Sequence, residues 1–97
     1  MAVDYTNLRR LLEGELYPHR YTHKVIGRTT FAFEAGVASL EARFPRVVRV
    51  ARRESAAPGG GASQHVAYTF ELPADGPDEI LEMLAFTETL PDVLMML

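Results

Sequence analysis

The order of strand-like and helix-like segments constrains the fold of this chain more than any single motif does. Four segments predict β-strands, because apolar residues either alternate in them or fill them between turn signals: residues 19–27, 46–54, 64–72 and 92–97. The third has the clearest alternation, with Val66, Tyr68 and Phe70 on one face and mainly polar or small residues on the other.

Three further segments space their apolar residues as α-helices do. They are residues 4–16, a segment capped by Thr29 or Thr30 that runs to about Phe44, and a segment that opens at residues 75–77 and stops before Pro91. Beyond the N-terminal helix the elements follow as β-α-β-β-α-β, which is the split arrangement of a ferredoxin-like sandwich. We therefore predict an α+β fold with a four-stranded antiparallel sheet of order 4-1-3-2, two helices on one face and an extra N-terminal helix.

The length of 97 residues predicts a single domain, residues 1–97, with an N-terminal helical extension over 1–17 and a core over 18–97. Residues 55–63, SAAPGGGAS, predict the loop of a hairpin. The chain contains no cysteine, which excludes disulfides and thiolate metal sites. No apolar run approaches the roughly 20 residues that cross a bilayer, and the N-terminal residues lack a signal pattern, so we expect a cytoplasmic protein that does not enter a membrane.

Charge is distributed unevenly along the sequence. Residues 20–53 carry eight basic and two acidic residues, a net charge of +6, whereas residues 54–97 carry eight acidic residues and no lysine or arginine. The halves either neutralise each other in the fold or leave a basic patch for an anionic ligand or partner. The overall net charge of −3 argues against a general nucleic-acid-binding protein, and the third strand lacks the basic-aromatic motif of RNA-recognition domains.

Residues 93–97 carry apolar side chains on both faces, although the predicted topology places this strand at a sheet edge. Proteins normally protect edge strands with charged residues. We therefore expect either a second subunit along this strand, as in a homodimer, or the N-terminal helix beneath it on the open face of the sheet.

No group of residues has the spacing of a catalytic, metal or cofactor site. His19 and His23 lie four residues apart on a predicted strand, which separates their Cα atoms by about 13 Å, so one ion cannot bind both. Residues 59–61 form a glycine run that joins two strands and has no following lysine, unlike a phosphate-binding loop. We therefore expect a protein that is not an enzyme and binds no cofactor, with His23 as a hydrogen-bonded core residue.

The segment YPHRYTHKVIG (residues 17–27), together with Phe44, the hairpin at residues 55–63 and the sequence LPDVLMML (residues 90–97), resembles the YbeD-like proteins, a small bacterial family of unknown function. Members of this family are described as proposed lipoate regulatory proteins, and the resemblance implies a ferredoxin-like fold similar to regulatory ACT domains. The hairpin here departs from the Ser-x-Gly-Asn-Tyr pattern of the family, which places any contact made there in doubt.

These observations predict a non-catalytic regulatory or binding module that takes a small anionic metabolite or a partner protein. The candidate binding residues are Lys24, Arg49 and Arg53, which belong to the basic segment, and Ser55, which the family resemblance adds. The alternative is a structural interaction protein that pairs through a strand edge or a sheet face.

Overall fold

A computed structural model of the protein describes residues 4–55 and 64–97; the predicted loop at residues 55–63 therefore lies outside the described residues except for Ser55. Within this part of the chain the elements are, in order, α1 (Thr6–Glu13), β1 (His19–Arg28), α2 (Phe31–Arg43), β2 (Val48–Glu54), β3 (His65–Ala74), α3 (Pro77–Glu88) and β4 (Val93–Met96). The strands form one antiparallel sheet in the order β2-β3-β1-β4. The predicted α+β class and strand order are confirmed.

The hydrophobic core lies between the sheet and the helices α2 and α3, because the central strands alternate strictly. The inward residues of β1 and β3 include His23, Val25, Val66, Tyr68, Phe70 and Leu72, all of them buried. Phe33 of α2 packs edge-on against the ring of Tyr68, and Thr87 of α3 hydrogen-bonds His23, so both helices cover the same face. We call this the covered face.

The other side of the sheet is the open face. Cross-strand pairing assigns its outward residues to rows: Leu97, Lys24, Thr69 and Ala51 form one row, and Met95, Ile26, Ala67 and Arg53 form the next. None of these residues is buried.

Helix α1 packs against α3 and therefore lies on the helical side of the molecule. The hydroxyl of Tyr5 donates to Glu88 at 2.9 Å, and Arg9 pairs with Asp78 at 2.7 Å. Leu12 contributes the buried side chain of this helix. The expectation that the N-terminal helix covers the open face is therefore wrong: Leu8 and Leu12 pack against the core on the helical side, while Leu11 and Leu16 are exposed.

Strand β2 contains a β-bulge at Val50. Arg49 lies opposite Phe70 and Ala51 lies opposite Thr69, so Val50 is an extra residue without a partner on β3. Because side chains alternate with a period of two, an extra residue reverses the faces of the residues that follow it. The bulge is what places Arg49 and Arg53 on opposite faces.

Strand β3 continues through Pro73 to Ala74, whereas the sequence predicts that proline ends it. The carbonyl of Pro73 accepts a hydrogen bond from the side chain of Arg46, which lies before the first residue of β2. In an antiparallel strand the nitrogen of a residue points to the same side as its carbonyl, so the missing N–H of Pro73 faces a position without a strand partner.

Gly27 lies inside β1, which continues one residue further, to Arg28. A Cβ atom at this position would come within 2.5 Å of the Phe33 ring. Glycine is therefore required here for close packing between the strand and α2. Among the described residues, no helix combines the length and apolar character that would cross a membrane.

Candidate binding site on the open sheet face

Lys24 and Arg53 lie on the open face and line one shallow depression. Its other lining residues are Ala51, Ala67 and Thr69, and its volume is about 230 Å³. Lys24 is outward because it falls between the buried residues His23 and Val25 of β1. Arg53 is outward because it lies opposite Ala67 of β3. We call Lys24 and Arg53 the basic pair.

The side chains of the basic pair are electrostatically unpaired within the part of the chain that the structure describes. Each ion pair among residues 4–55 and 64–97 involves Arg9, Arg20, Arg46, Arg49 or Arg52. No carboxylate lines the depression. Arg28 also points to the open face and has no ion pair among the described residues. The basic segment therefore leaves a local positive charge here, while part of it is neutralised elsewhere.

Arg49 does not join this site, although the sequence groups it with Lys24 and Arg53. The bulge at Val50 turns Arg49 to the covered side, where it forms two hydrogen bonds to Glu41 of α2, at 2.6 and 3.1 Å. Its guanidinium carbon lies 4.7 Å from the centre of the Tyr68 ring. An unbroken alternation over the predicted strand at residues 46–54 would place Arg49 and Arg53 on one face, and this is wrong, because one extra residue in the strand is not visible in a period-two pattern.

Ser55 lies next to the depression, but its polar groups hold the end of the β2–β3 hairpin. Its amide donates to the carbonyl of His65 at 2.9 Å, and its hydroxyl accepts from the amide of His65 at 3.2 Å. A second depression of about 260 Å³ includes Ser55, Arg53 and Ile26 among its lining residues. The structure thus brings Ser55 near Arg53 while giving its hydroxyl a local structural partner.

Exposed apolar side chains of β4 lie beside the basic pair. Met95 and Leu97 lie next to Ile26 and Lys24 across the β1–β4 ladder, with exposed fractions of 52% and 63%. Near the other edge of the same face, Val48 of β2 is 55% exposed and lies opposite Glu71, four residues along β3 from the partner of Arg53. The open face is therefore a mixed surface in which one group of exposed apolar side chains lies beside Lys24.

A cluster that the sequence does not signal lies on the covered side of β2. Arg52 donates to Glu34 at 2.8 Å and to the hydroxyl of Tyr68 at 3.0 Å, and the Tyr68 hydroxyl donates to the other oxygen of Glu34. Burial raises the pKa of Glu34, but the hydrogen bonds from Tyr68 and Arg52 outweigh it and hold that pKa below its usual value. Only the bulge brings Arg49 and Arg52 to one side, which explains why periodicity misses the cluster.

His23 is fully buried and hydrogen-bonded, as the sequence predicts. Its Nε2 lies 3.1 Å from the hydroxyl of Thr87, which itself donates to the carbonyl of Met83. Since that hydroxyl proton is used, we assign the His23 proton to Nε2, which leaves Nδ1 buried without a partner among the described residues. Burial lowers the pKa of His23 to about 4. The residue is a neutral core group.

Other titratable residues form no metal-binding arrangement within residues 4–55 and 64–97, where no cluster of three or more His, Asp or Glu side chains could hold an ion. The acidic half of the chain instead supplies partners to nearby cations. Arg46, in the connection between α2 and β2, bridges Asp75 and Glu79 at 2.9 Å each. Contacts of this kind neutralise part of the basic segment through the acidic one.

The fold is similar to that of the C-terminal domain of the MgtC protein from Mycobacterium tuberculosis. The TM-score is 0.52 and the sequence identity is 14%, and the match covers 86% of this chain and 88% of that domain. At this identity the similarity shows the architecture of the α/β sandwich alone. No protein-family model and no curated protein matches the sequence.

Proposed function

We propose that this protein is a non-catalytic binding module that takes an anionic group at the basic pair of Lys24 and Arg53. The observation that carries this proposal is the meeting of two unpaired cations from different strands in one depression that no carboxylate lines. Placing such cations side by side costs Coulombic energy, and an anion between them turns that cost into attraction.

The use of the other polar groups supports a binding role rather than catalysis. His23 is a neutral core residue, and Ser55 is engaged with the backbone of His65. Tyr68, Arg52 and Glu34 satisfy one another on the covered side. These side chains have structural partners, so the cations of the open face are the groups left to recognise another molecule.

We further place the fold in the ferredoxin-like class, similar to ACT domains, with α1 as an added helix. The β-α-β-β-α-β order and the likeness to the MgtC domain support this class. The resemblance of residues 17–27 and 90–97 to the YbeD-like proteins supports a regulatory role connected with lipoate metabolism. On this proposal Lys24 is important for two reasons: it belongs to the segment that resembles the family, and it lines the depression on the open face.

Heteronuclear NMR tests the proposal with citrate and pyrophosphate as probes at low ionic strength. We expect millimolar binding that shifts the amide signals of Lys24, Arg53 and their neighbours in the depression. The double variant Lys24→Gln/Arg53→Gln loses these shifts. The control Arg10→Gln/Arg43→Gln removes the same formal charge at a distance and keeps them. Equal shifts in both double variants, or shifts spread over all basic residues, contradict the proposal.

A second candidate function is self-association through the apolar edge strand β4, and the exposure of Met95 and Leu97 favours it. An unprotected edge pairs readily with another strand. If the protein is a dimer through this region, Met95→Lys converts it to a folded monomer in size-exclusion chromatography with light scattering. An unchanged elution mass for this variant counts against the second candidate.

A further inference from the structure

We infer that the anionic partner is an acidic segment of another protein that also carries apolar side chains and lies in extended form across the open face. This inference rests on the proposed function, because it uses the same basic pair. It adds that carboxylates bind Lys24 and Arg53 while neighbouring apolar side chains of the segment cover Ile26, Met95 and Leu97.

The shape of the site favours a chain over a small metabolite. The depression holds about 230 Å³, whereas pockets that bury most of a small ligand have about 300–1,000 Å³. Its floor is formed by Ala51, Ala67 and Thr69, which are short side chains on a sheet surface. A small anion there stays largely in water and gains little from desolvation, so the same cations bind more tightly to an anion carried by a larger surface.

The positions of the cations match the spacing of an extended segment. Lys24 and Arg53 are separated by two strand spacings and by one step of two residues along the strand. With about 4.8 Å between strands and about 3.4 Å per residue, their Cα atoms lie about 12 Å apart. Carboxylates two to four residues apart on an extended chain span about 7–13 Å, which the long lysine and arginine side chains can reach.

The apolar rows make the face larger than the basic pair. Met95 lies opposite Ile26, and Leu97 lies opposite Lys24, so an apolar strip runs directly beside one cation. Apolar side chains of a bound segment would remove this strip from water. Clustered exposed apolar residues with a charged neighbour are typical of protein-interaction surfaces.

Charge complementarity selects an acidic partner over a second copy of this face. Lys24, Arg28 and Arg53 all point to the open face without ion pairs among the described residues. Two such faces packed against each other would bring like charges together, which opposes a symmetric face-to-face dimer. An acidic segment gains attraction at the same positions and loses it as salt is added.

The test is selection of short random peptides displayed on phage against the immobilised protein, followed by anisotropy measurements with the enriched peptides. We expect enrichment of peptides with at least two acidic residues and interspersed leucine, isoleucine or phenylalanine. Their affinity should fall about tenfold or more in Lys24→Gln/Arg53→Gln and also in Met95→Lys. It should stay unchanged in Arg10→Gln/Arg43→Gln. Circular dichroism checks that every variant is folded.

The other outcomes separate this inference from the proposed function. If citrate or pyrophosphate binds at the basic pair and no acidic peptide does, the anion site stands and the peptide partner is wrong. If acidic peptides bind with the same affinity to Met95→Lys, the proposed contact of the segment with the apolar side chains of β4 is wrong. If neither small anions nor peptides need Lys24 and Arg53, both proposals fall. If light scattering gives a dimer that Met95→Lys dissociates, and this dimer binds no acidic peptide, a second copy occupies the site and the acidic partner is wrong.

Discussion

The two faces of the sheet treat charged side chains in opposite ways. On the covered side, Arg52 lies among Glu34, Glu54 and Tyr68, with hydrogen bonds to all three. On the open face, Arg53 is the next residue along the same strand, and it has no ion pair with the described residues. Neighbouring arginines thus have a structural role in one case and an available charge in the other, which sequence composition alone does not distinguish.

This contrast implies that substitutions on the covered face lower stability, whereas those on the open face change binding. The covered face has close-packed rings, and its polar groups other than Nδ1 of His23 have hydrogen-bond partners, so added volume or a lost partner must be absorbed by the fold. The cations of the basic pair and Met95 on the open face are exposed, and the cations have no ion pair among the described residues. The measurements below test this division, in order of decreasing effect on the free energy of unfolding.

The largest effect is expected for Gly27→Val on the covered face. Its Cβ would fall 2.5 Å from carbon atoms of the Phe33 ring, which is itself fully buried. Overpacking of this kind should lower the free energy of unfolding by about 3 kcal/mol. Urea denaturation measures the loss. In the control Gly14→Ala the new Cβ lies at an ordinary 3.4 Å from the carbonyl oxygen of Leu11, so stability should change little.

Acidification should weaken the covered face through His23. Burial lowers the pKa of His23 to about 4, below its usual value of 6.5, so the unfolded chain binds the proton first as pH falls. The stabilising contribution is complete above pH 6.5 and is lost between there and pH 4, at about 1.4 kcal/mol per pH unit. The free energy of unfolding, measured by urea denaturation, should therefore be about 2 kcal/mol lower at pH 5 than at pH 7 because of His23.

The variant His23→Gln isolates that contribution, because it removes the titrating ring and leaves the carboxylates and the other histidines in place. Its stability should depend less on pH than that of the wild type over the same range. Parallel pH dependences for the two proteins would show that His23 is not the group responsible.

Loss of the Tyr68 hydroxyl should have an intermediate effect. Tyr68→Phe removes hydrogen bonds to Glu34 and Arg52 and should cost about 1 kcal/mol in urea denaturation. The pKa of Glu34 should also rise, because the Tyr68 bond helps to hold it low. NMR titration of the Glu34 carboxylate reads this directly. Tyr21→Phe serves as the control, and a Glu34 pKa that stays low in Tyr68→Phe would contradict the assigned network.

The smallest effect on stability is expected on the open face. Lys24→Gln/Arg53→Gln should change the free energy of unfolding by less than about 0.5 kcal/mol, since no ion pair is lost. Arg49→Gln/Arg52→Gln makes the same formal charge change but breaks contacts to Glu41, Glu34 and Tyr68. It should cost more, as measured by thermal unfolding. Equal losses in the two double variants would remove the distinction between the faces.

The sequence predicts the fold well where side-chain alternation is unbroken. In β1 the period of two places Lys24 outward and His23 inward, and both assignments hold in the structure. In β2 the same reasoning fails for Arg49, because the bulge at Val50 depends on pairing with β3 and leaves no local sequence pattern. The outward position of Lys24 could therefore be predicted from the sequence, whereas the placement of Arg49 and Arg53 on opposite faces could not.

The contacts that decide whether an arginine is paired or unpaired also join residues far apart in the sequence. Arg52 and Glu34 lie 18 residues apart in sequence, and Tyr68 and Glu34 lie 34 apart. Net charge per segment predicts that the basic half meets carboxylates, but it does not say which arginines are used. The free cations become recognisable only after the paired ones are assigned.

The bulge at Val50 also has a consequence for how the length of this chain can vary. Because Val50 has no partner on β3, the other residues of β2 face the same sides as they would in a regular strand that lacked residue 50. Deleting residue 50 would leave Arg49 and Arg52 directed toward α2 and Arg53 directed away from it. In a strand without a bulge, deleting one residue would move the following side chains to the other face of the sheet, so only changes of two residues keep the faces. At position 50, deletion of a single residue keeps them.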